Sequence, residues 1–131
     1  MRVYLDSAPS IYSVKQVPQY AGWVEAQLSA QNVIQVTSDL VQMECRVKPL
    51  REGDNQRLKD LDDYFAGAVA EIVTLSRDVI DKATEIRAQY NFKTPDAIQL
   101  AAAMISNCDL FLTNDQRLDR FTEITLQVVQ A

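Results

Sequence analysis

The sequence predicts a single doubly wound α/β domain with a central, mostly parallel sheet of about five strands flanked by helices. Short apolar runs alternate along the chain with longer amphipathic stretches, which is typical of parallel strands joined by helical crossovers. The 131 residues can bury a core without disulfides, and three glycines and four prolines leave little room for long loops. We therefore assign residues 1–131 to one domain.

The elements follow from apolar runs and from residues that favour helix starts. Strands are predicted at 2–6, 33–37, 71–76, 109–113 and 126–129. Helices are predicted at 7–15, 19–31, 39–49, 52–68, 77–91 and 94–107. Pro9 suits the first turn of the first helix, and Ser38 is a good cap for the third. The fourth helix is amphipathic, with one apolar stripe formed by Leu58, Leu61, Phe65 and Ala68.

Composition narrows the class of protein. No apolar run approaches the roughly 20 residues that span a membrane, and the first residues, "MRVYLDS", are too polar for a signal peptide. The chain has no histidine, and Cys45 and Cys108 lack metal-binding spacing, so zinc sites and histidine acid–base catalysis are disfavoured. Free thiols favour a reducing compartment, and we expect a cytoplasmic protein. The net charge of −5 argues against a surface that binds nucleic acid everywhere, but it allows a local basic rim.

Two acidic residues lie where parallel strands are predicted to end. Asp6 closes the first strand, and Asp115 lies two residues beyond "FLT" of the fourth. Ligands in sheets of this type bind at the carboxyl ends of the strands, near the point where strand order reverses. Both residues also have a structural explanation, because Asp6 could accept a turn bond and Asp115 could cap a short helix.

A third carboxylate, Glu44, lies on the predicted buried face of its helix. The apolar residues of that face are Leu40, Val41 and Val47. An unpaired carboxylate is costly there, which favours a functional role. The structural alternatives are pairing with Arg46 or Lys48 and a position at the edge of the apolar stripe.

The fourth carboxylate, Asp96, opens a helix that is otherwise almost entirely apolar. Thr94 could cap this helix, Pro95 suits its first position, and Asp96 would meet the positive end of the helix dipole. That arrangement alone would explain the aspartate. The start of this helix also returns to the strand-end side of the sheet, however, where Asp96 would join the other three acids. Together they would form an oxygen-only cation site suited to Mg²⁺ or Mn²⁺.

These carboxylates lie in four segments, which read in chain order VYLDSAPSIY, SDLVQMECRV, TPDAIQLAAAM and DLFLTNDQRL. In this order the chain resembles the PIN-domain ribonucleases, and most closely the VapC-type toxins of bacterial toxin–antitoxin pairs. The segments are similar to that family's opening strand and turn, its helix with a central glutamate, its helix-initial Asp-Ala segment and its late Thr-Asn-Asp turn. The resemblance implies a PIN-like fold over most of the chain.

The resemblance also implies a metal-dependent endoribonuclease whose acidic site consists of Asp6, Glu44, Asp96 and Asp115. Asp6 and Asp96 are then the direct ligands of Mg²⁺ or Mn²⁺, while Glu44 and Asp115 bind through water, hold a second ion or orient the nucleophile. Supporting polar groups would come from Ser7, Thr113 and Asn114. Ala8 stands where many family members have asparagine or serine, which removes a supporting hydrogen bond but no metal ligand.

The partners implied by the resemblance are an RNA substrate, a second copy of the chain in a homodimer, and a cognate antitoxin whose extended tail crosses the acidic groove. RNA requires positive charge, and the basic residues near the acidic segments are Lys15, Arg46, Lys48, Arg51, Lys93, Arg117 and Arg120. Solvated surface charge is the alternative explanation for each of them.

Two other functions fit parts of the pattern. A receiver-like signalling domain also places acids and Mg²⁺ at strand ends, but it needs adjacent acids after the first strand and a lysine after a late strand. Here Asp6 stands alone, and Gln116 follows "FLTND". A PIN fold that serves only as a binding module is the third possibility.

Overall fold

The structure, a computed structural model, describes residues 1–30 and 32–130, so the end of the helix predicted at 19–31 lies outside the described residues. Its strands are β1 (Arg2–Leu5), β2 (Ile34–Ser38), β3 (Glu71–Val73), β4 (Leu110–Thr113) and β5 (Thr125–Val128). Its helices are α1 (Ser7–Lys15), α2 (Ala21–Leu28), α3 (Asp39–Glu52), α4 (Asn55–Gly67), α5 (Arg77–Tyr90) and α6 (Thr94–Ile105). A short 3₁₀ helix at Gln116–Arg120 separates β4 from β5.

The five described strands form one sheet in the order β3-β2-β1-β4-β5, and each neighbouring pair is parallel. The predicted doubly wound fold is therefore confirmed. The chain runs outward from β1 to β3 and then crosses back to β4 on the other side of β1. Strand order thus reverses between β1 and β4, which places a crevice at the carboxyl ends of these two central strands.

Side chains that alternate along the central strands belong to two different hydrophobic clusters. Tyr4 belongs to the larger cluster, which also contains buried residues of α3, α4, α5 and α6, and its ring stacks on Phe111. Val3 and Leu5 belong to the smaller cluster with Val24 of α2. Because successive residues of a strand point to opposite faces, helices cover both faces of the sheet.

Helix caps explain where several elements begin and end. The Ser38 side chain accepts a hydrogen bond from the Val41 amide, so the predicted cap of α3 is confirmed. We predicted that this helix ends at Pro49, and that prediction is wrong. The helix continues to Glu52, because a proline in the last turn removes only one backbone hydrogen bond. It ends at Gly53, whose φ of 68° is a left-handed conformation that glycine adopts without strain.

Other predicted boundaries also shift. The strand predicted at 71–76 ends at Val73, because Ser76 caps α5 by accepting from the Val79 amide. Thr94 is not the cap of α6; it is the first helical residue, Lys93 occupies the cap position, and the Thr94 hydroxyl accepts from Arg87 instead. On α4, the predicted stripe holds at Leu61 and Phe65 but fails at Ala68, which is exposed.

Candidate functional site

The β1 end of the crevice is built around Asp6, the residue after the strand. The backbone amide of Asp6 donates to the carbonyl of Leu112 in β4, which fixes the aspartate between the two central strands. Its Oδ1 accepts a 2.6 Å hydrogen bond from the Ser7 amide and so caps α1. Its Oδ2 accepts a 2.7 Å hydrogen bond from the buried hydroxyl of Thr113. Asp6 therefore has a structural role, and that role holds its carboxylate at the strand ends.

Glu44 reaches the same place from α3. Its Oε1 accepts hydrogen bonds from the Ser7 hydroxyl at 2.9 Å and from Nε2 of Gln99 at 3.0 Å. Burial is the main cause that raises the pKa of the half-buried Glu44 carboxyl, and the negative charges of Asp6 and Asp96 raise it further. The position thus disfavours negative charge, while two donors keep the group in place.

Of the structural alternatives for Glu44, the position at the edge of the stripe is the one observed, and pairing with Arg46 or Lys48 is not found in the part of the chain that the structure describes. Arg46 lies 3.2 Å from Asp62, and Lys48 lies 4.0 Å from Glu52.

The predicted apolar stripe of α3 beside Glu44 was partly wrong. Val47 is 44% exposed, and the buried residues of α3 are Leu40, Val41, Cys45 and Pro49. Glu44 flanks this stripe on the side that faces α1 and α6.

Asp96 lies in the first turn of α6 and is half-buried. Burial raises the pKa of its carboxyl, with further contributions from the charges of Asp115 and Asp6. Arg117 and Lys93 act in the opposite direction and do not cancel the rise. The favourable helix dipole is therefore outweighed by burial and by neighbouring negative charge.

Asp115 begins the 3₁₀ helix and is held by Arg117. Oδ1 of Asp115 accepts from the Arg117 amide and from Nε, and Oδ2 accepts from the guanidinium at 2.8 Å. This bidentate pair holds the pKa of the Asp115 carboxyl below its usual range. The Asp115 amide in turn donates to the Thr113 hydroxyl, which links it to Asp6.

The polar residues predicted to support the site divide into two groups. Ser7 and Thr113 donate directly to the acidic residues. Asn114 does not; its side-chain amide donates to the Tyr12 hydroxyl at 2.9 Å. Gln99, which sequence reasoning missed, contacts Glu44. The available signal was its place three residues after Asp96, on the same side of α6.

The carboxylates are close enough to interact electrostatically, because the charge of Asp6 raises the pKa of Glu44 and of Asp96, and the charge of Asp115 raises the pKa of Asp96. They do not form a tight preformed cage. Among residues 1–30 and 32–130, no three carboxylate or thiol side chains are placed, as they stand, to hold one ion. All donors are oxygen atoms, and a site without three converging protein ligands fits Mg²⁺, which retains several waters and takes few direct protein ligands.

Basic side chains lie on two sides of these carboxylates. A groove of about 130 Å³ between α1, α3 and α4 is lined by Glu44 and by the cations Lys15, Lys48 and Arg57. A second depression of about 160 Å³ is lined by Asp96 and by the cations Lys93, Arg117 and Arg120. Of the predicted rim, Arg46 and Arg51 line neither depression.

Comparison with known families decides the classification, because the sequence model of the PIN domain matches residues 4–124. The chain belongs to the PIN-domain family. The predicted resemblance is thereby confirmed. The receiver-like alternative does not fit this PIN chain, since its strand order differs from the 2-1-3-4-5 order of receiver folds. A comparison with curated proteins yields no match.

Solved structures show the same PIN fold. The chain is similar to VapBC2 from Rickettsia felis bound to a promoter DNA fragment (TM-score 0.82, 18% identity, 99% of this chain and 100% of that chain). It is also similar to DNA-bound VapBC from Salmonella typhimurium (TM-score 0.76, 14% identity, 98% of both chains). A third is VapC20 from Mycobacterium tuberculosis, described as a sarcin-ricin loop cleaving toxin (TM-score 0.72, 13% identity, 94% and 98%). In this PIN-domain chain, no described helix is both long and apolar enough to cross a membrane.

Proposed function

We propose that this PIN-domain protein is a metal-dependent endoribonuclease that acts as the toxin of a toxin–antitoxin pair. The observation that carries the proposal is the network that joins the candidate acids at the strand-order reversal of a PIN fold. Thr113 contacts Asp6 and Asp115, and Ser7 contacts Asp6 and Glu44. The charge of Asp6 also raises the pKa of Asp96. The similar VapC20 structure, described as a toxin that cleaves the sarcin-ricin loop, supports the reaction class.

The donor set fits Mg²⁺ or Mn²⁺ because it consists of carboxylates, the ligands these hard cations prefer. When bound, such an ion supplies an activated water nucleophile and neutralises charge on the scissile phosphate. We assign direct binding to Asp6 and Asp96. In the described residues the Asp96 carboxylate has no hydrogen-bond donor, so its oxygens are free to bind an ion.

The remaining acids have different roles in this proposal. Glu44 keeps one oxygen tied to Ser7 and Gln99, which leaves Oε2 to hold a water or a second ion. Asp115 has both oxygens engaged by Arg117, so it acts through water unless that ion pair opens. Thr113 holds the Asp6 carboxylate in place.

RNA binding is assigned to the cations on either side of the acids. Lys15, Lys48 and Arg57 line the groove beside Glu44, and Lys93, Arg117 and Arg120 line the depression beside Asp96. Phosphates that approach from both sides would meet positive charge, while the acidic centre itself repels them until a cation is bound. This arrangement reconciles RNA binding with a net charge of −5.

The proposed antitoxin occupies the groove beside Glu44. Apolar Ile11, Pro49 and Leu61 line this groove together with acidic Glu52 and Asp54. Because Lys15, Lys48 and Arg57 also line it, an extended segment with apolar side chains and charges of both signs matches that lining, and one basic group would reach Glu44. The similar structures of VapBC complexes support such a partner.

The free thiols of Cys45 and Cys108 are consistent with the cytoplasmic location that we propose for the toxin and its antitoxin.

The proposed homodimer uses the exposed face of α3. Met43, Val47 and Leu50 are 56%, 44% and 58% exposed and follow one another at helical spacing. Asp39 lies near the first of them, and Arg51 lies at the other end of the helix. Two copies of α3 packed antiparallel would bury the apolar residues and bring Asp39 of each copy towards Arg51 of the other.

The test is RNA cleavage by the purified protein with Mg²⁺ or Mn²⁺ and with excess chelator. We expect cleavage that requires the cation and is abolished in Asp6→Asn, which keeps the shape of the side chain but removes its charge. Asp63→Asn is the matched control, since Asp63 is an exposed partner of Lys59 on α4. Cleavage by Asp6→Asn at the wild-type rate would contradict the proposal. Cellular toxicity that persists in Asp6→Asn would favour the binding-module alternative.

A further inference from the structure

Gln99 is an unusual residue for its position in α6. It is 4% exposed, and the other buried residues of the helix are Ala97, Leu100, Ala101, Ala102 and Ala103. Glutamine is seldom fully buried, because its amide then needs partners inside the protein. This buried amide therefore requires an explanation beyond packing.

The amide of Gln99 is only partly satisfied. Nε2 donates to Oε1 of Glu44 at 3.0 Å, whereas the buried Gln99 carbonyl oxygen finds no hydrogen-bond partner among residues 1–30 and 32–130. An unpaired buried carbonyl reduces stability. Methionine would fill a similar volume without this penalty, so the glutamine is a poor choice for packing alone.

The contact with Glu44 is one half of a clamp. The Ser7 hydroxyl, at the start of α1, donates to the same Glu44 oxygen at 2.9 Å. Donors from two different helices thus converge on Oε1, which fixes the carboxylate plane and leaves Oε2 outside the clamp. Hydrogen bonds of this kind orient metal-binding carboxylates in many proteins.

We propose that Gln99 is a positioning residue that orients Glu44 for cation binding at the PIN-domain site. The inference rests on the proposed function, since it assigns a purpose to a contact with one of the acids. Gln99 does not bind the cation in this proposal. It holds Glu44 in place, and it does so at some expense of fold stability.

The test measures Mn²⁺ affinity by electron paramagnetic resonance in the intact protein, together with the melting temperature of the metal-free protein. We expect Gln99→Met to weaken Mn²⁺ binding about tenfold, the lower end of the effect of removing such supporting groups. The melting temperature should change little, because removal of the unpaired carbonyl offsets the lost hydrogen bond to Glu44. Gln35→Met is the matched control. Gln35 is a half-buried glutamine whose side chain accepts one hydrogen bond, from the Tyr64 hydroxyl. The Mn²⁺ affinity of the Gln35→Met protein should match that of the wild type.

A double-mutant cycle separates positioning from a general effect on the fold. In a Glu44→Gln background, Gln99→Met should change the Mn²⁺ dissociation constant by less than about twofold, because the group that Gln99 orients has lost its charge. An equal loss of affinity in both backgrounds would overturn the inference. Unchanged Mn²⁺ binding in Gln99→Met would also overturn it, with the nuclease proposal left intact. A wild-type protein that binds no Mn²⁺ would overturn both.

Discussion

The hydroxyl of Thr113 donates a 2.7 Å hydrogen bond to the carboxylate of Asp6, although the two residues are 107 positions apart in the chain. Parallel pairing of β1 with β4 brings them together at the ends of adjacent strands. The same hydroxyl accepts from the Asp115 amide, so one buried threonine connects two of the acids. The geometry of the site therefore depends on the register of the central strands.

Thr113→Val tests this connection, because it keeps the shape of the side chain and removes the hydroxyl. We expect a loss of about 1–3 kcal/mol in the free energy of unfolding, since the variant leaves buried polar groups unsatisfied. RNA cleavage should fall strongly, and Thr113→Ser should restore most of it. Thr125→Val, at an exposed position of β5, is the control for denaturant unfolding and cleavage assays. Full cleavage by Thr113→Val would contradict the assigned role.

Asp96→Asn should abolish cleavage without destabilising the protein. The native state raises the pKa of Asp96, so it binds a proton more tightly than the unfolded chain does. The wild type therefore loses stability as pH rises from about 4, the ordinary range of the carboxyl, through the raised native pKa. Because the variant lacks this group, its stability relative to the wild type should increase across that pH window and then stay constant.

The control for this experiment is Asp78→Asn. Asp78 lies in the first turn of α5, as Asp96 does in α6, but it is exposed. Its removal should cost about 0.3–1 kcal/mol through the lost interaction with the helix dipole, and cleavage should be unchanged. If Asp96→Asn shows the same loss of stability and still cuts RNA, Asp96 only completes a helix start.

Arg117→Met should increase affinity for Mn²⁺. Arg117 occupies both oxygens of Asp115, so it competes with a cation for that carboxylate. The Arg117 side chain is 76% exposed, so solvent screening weakens the ion pair, and the gain in Mn²⁺ affinity should be at most about fivefold. Calorimetric titration with Mn²⁺ measures the change. Arg120→Met, which removes a guanidinium stacked on Phe92 in the same depression, should give a smaller effect or none.

The lowered pKa of Asp115 adds a prediction for acid stability. A carboxyl with a depressed native pKa stabilises the fold above the unfolded pKa, and that contribution is lost as pH falls through the native value. The stability difference between wild type and Arg117→Met should therefore shrink as pH falls below about 4. A difference that is constant with pH would show that Arg117 does not act on Asp115.

Met43→Glu should convert the proposed dimer into a monomer. The substitution places a charge on the exposed apolar face of α3, where burial against a second copy would be costly. Light scattering at micromolar concentration measures the mass. Ile80→Glu, at another exposed apolar position on α5, should leave the mass unchanged. A monomeric wild type would remove the dimer proposal and leave the nuclease proposal untouched.

Local patterns predicted the fold well where neighbouring residues in the chain decide the local structure. Alternating apolar runs indicated parallel strands, and Ser38 caps α3 as expected. Predictions failed where a tertiary contact competed with a local preference. Thr94 has a favourable side chain for a cap, but in the folded chain its hydroxyl bonds Arg87. Val47 fits an apolar stripe by spacing, yet the packing of α3 turns it outward.

The sequence by itself determined the class of fold, because apolar periodicity is a local property, and it singled out four acidic residues as candidates for the site. Only the tertiary structure decided how those acids are held. Glu44 is clamped by Ser7 and Gln99, which lie 37 and 55 residues away, and no local pattern can specify donors at such separations. Gln99 reads as an ordinary helical residue until α3 and α6 pack together. The physical reason is that a hydrogen bond depends on distance in space, whereas a sequence pattern records distance along the chain.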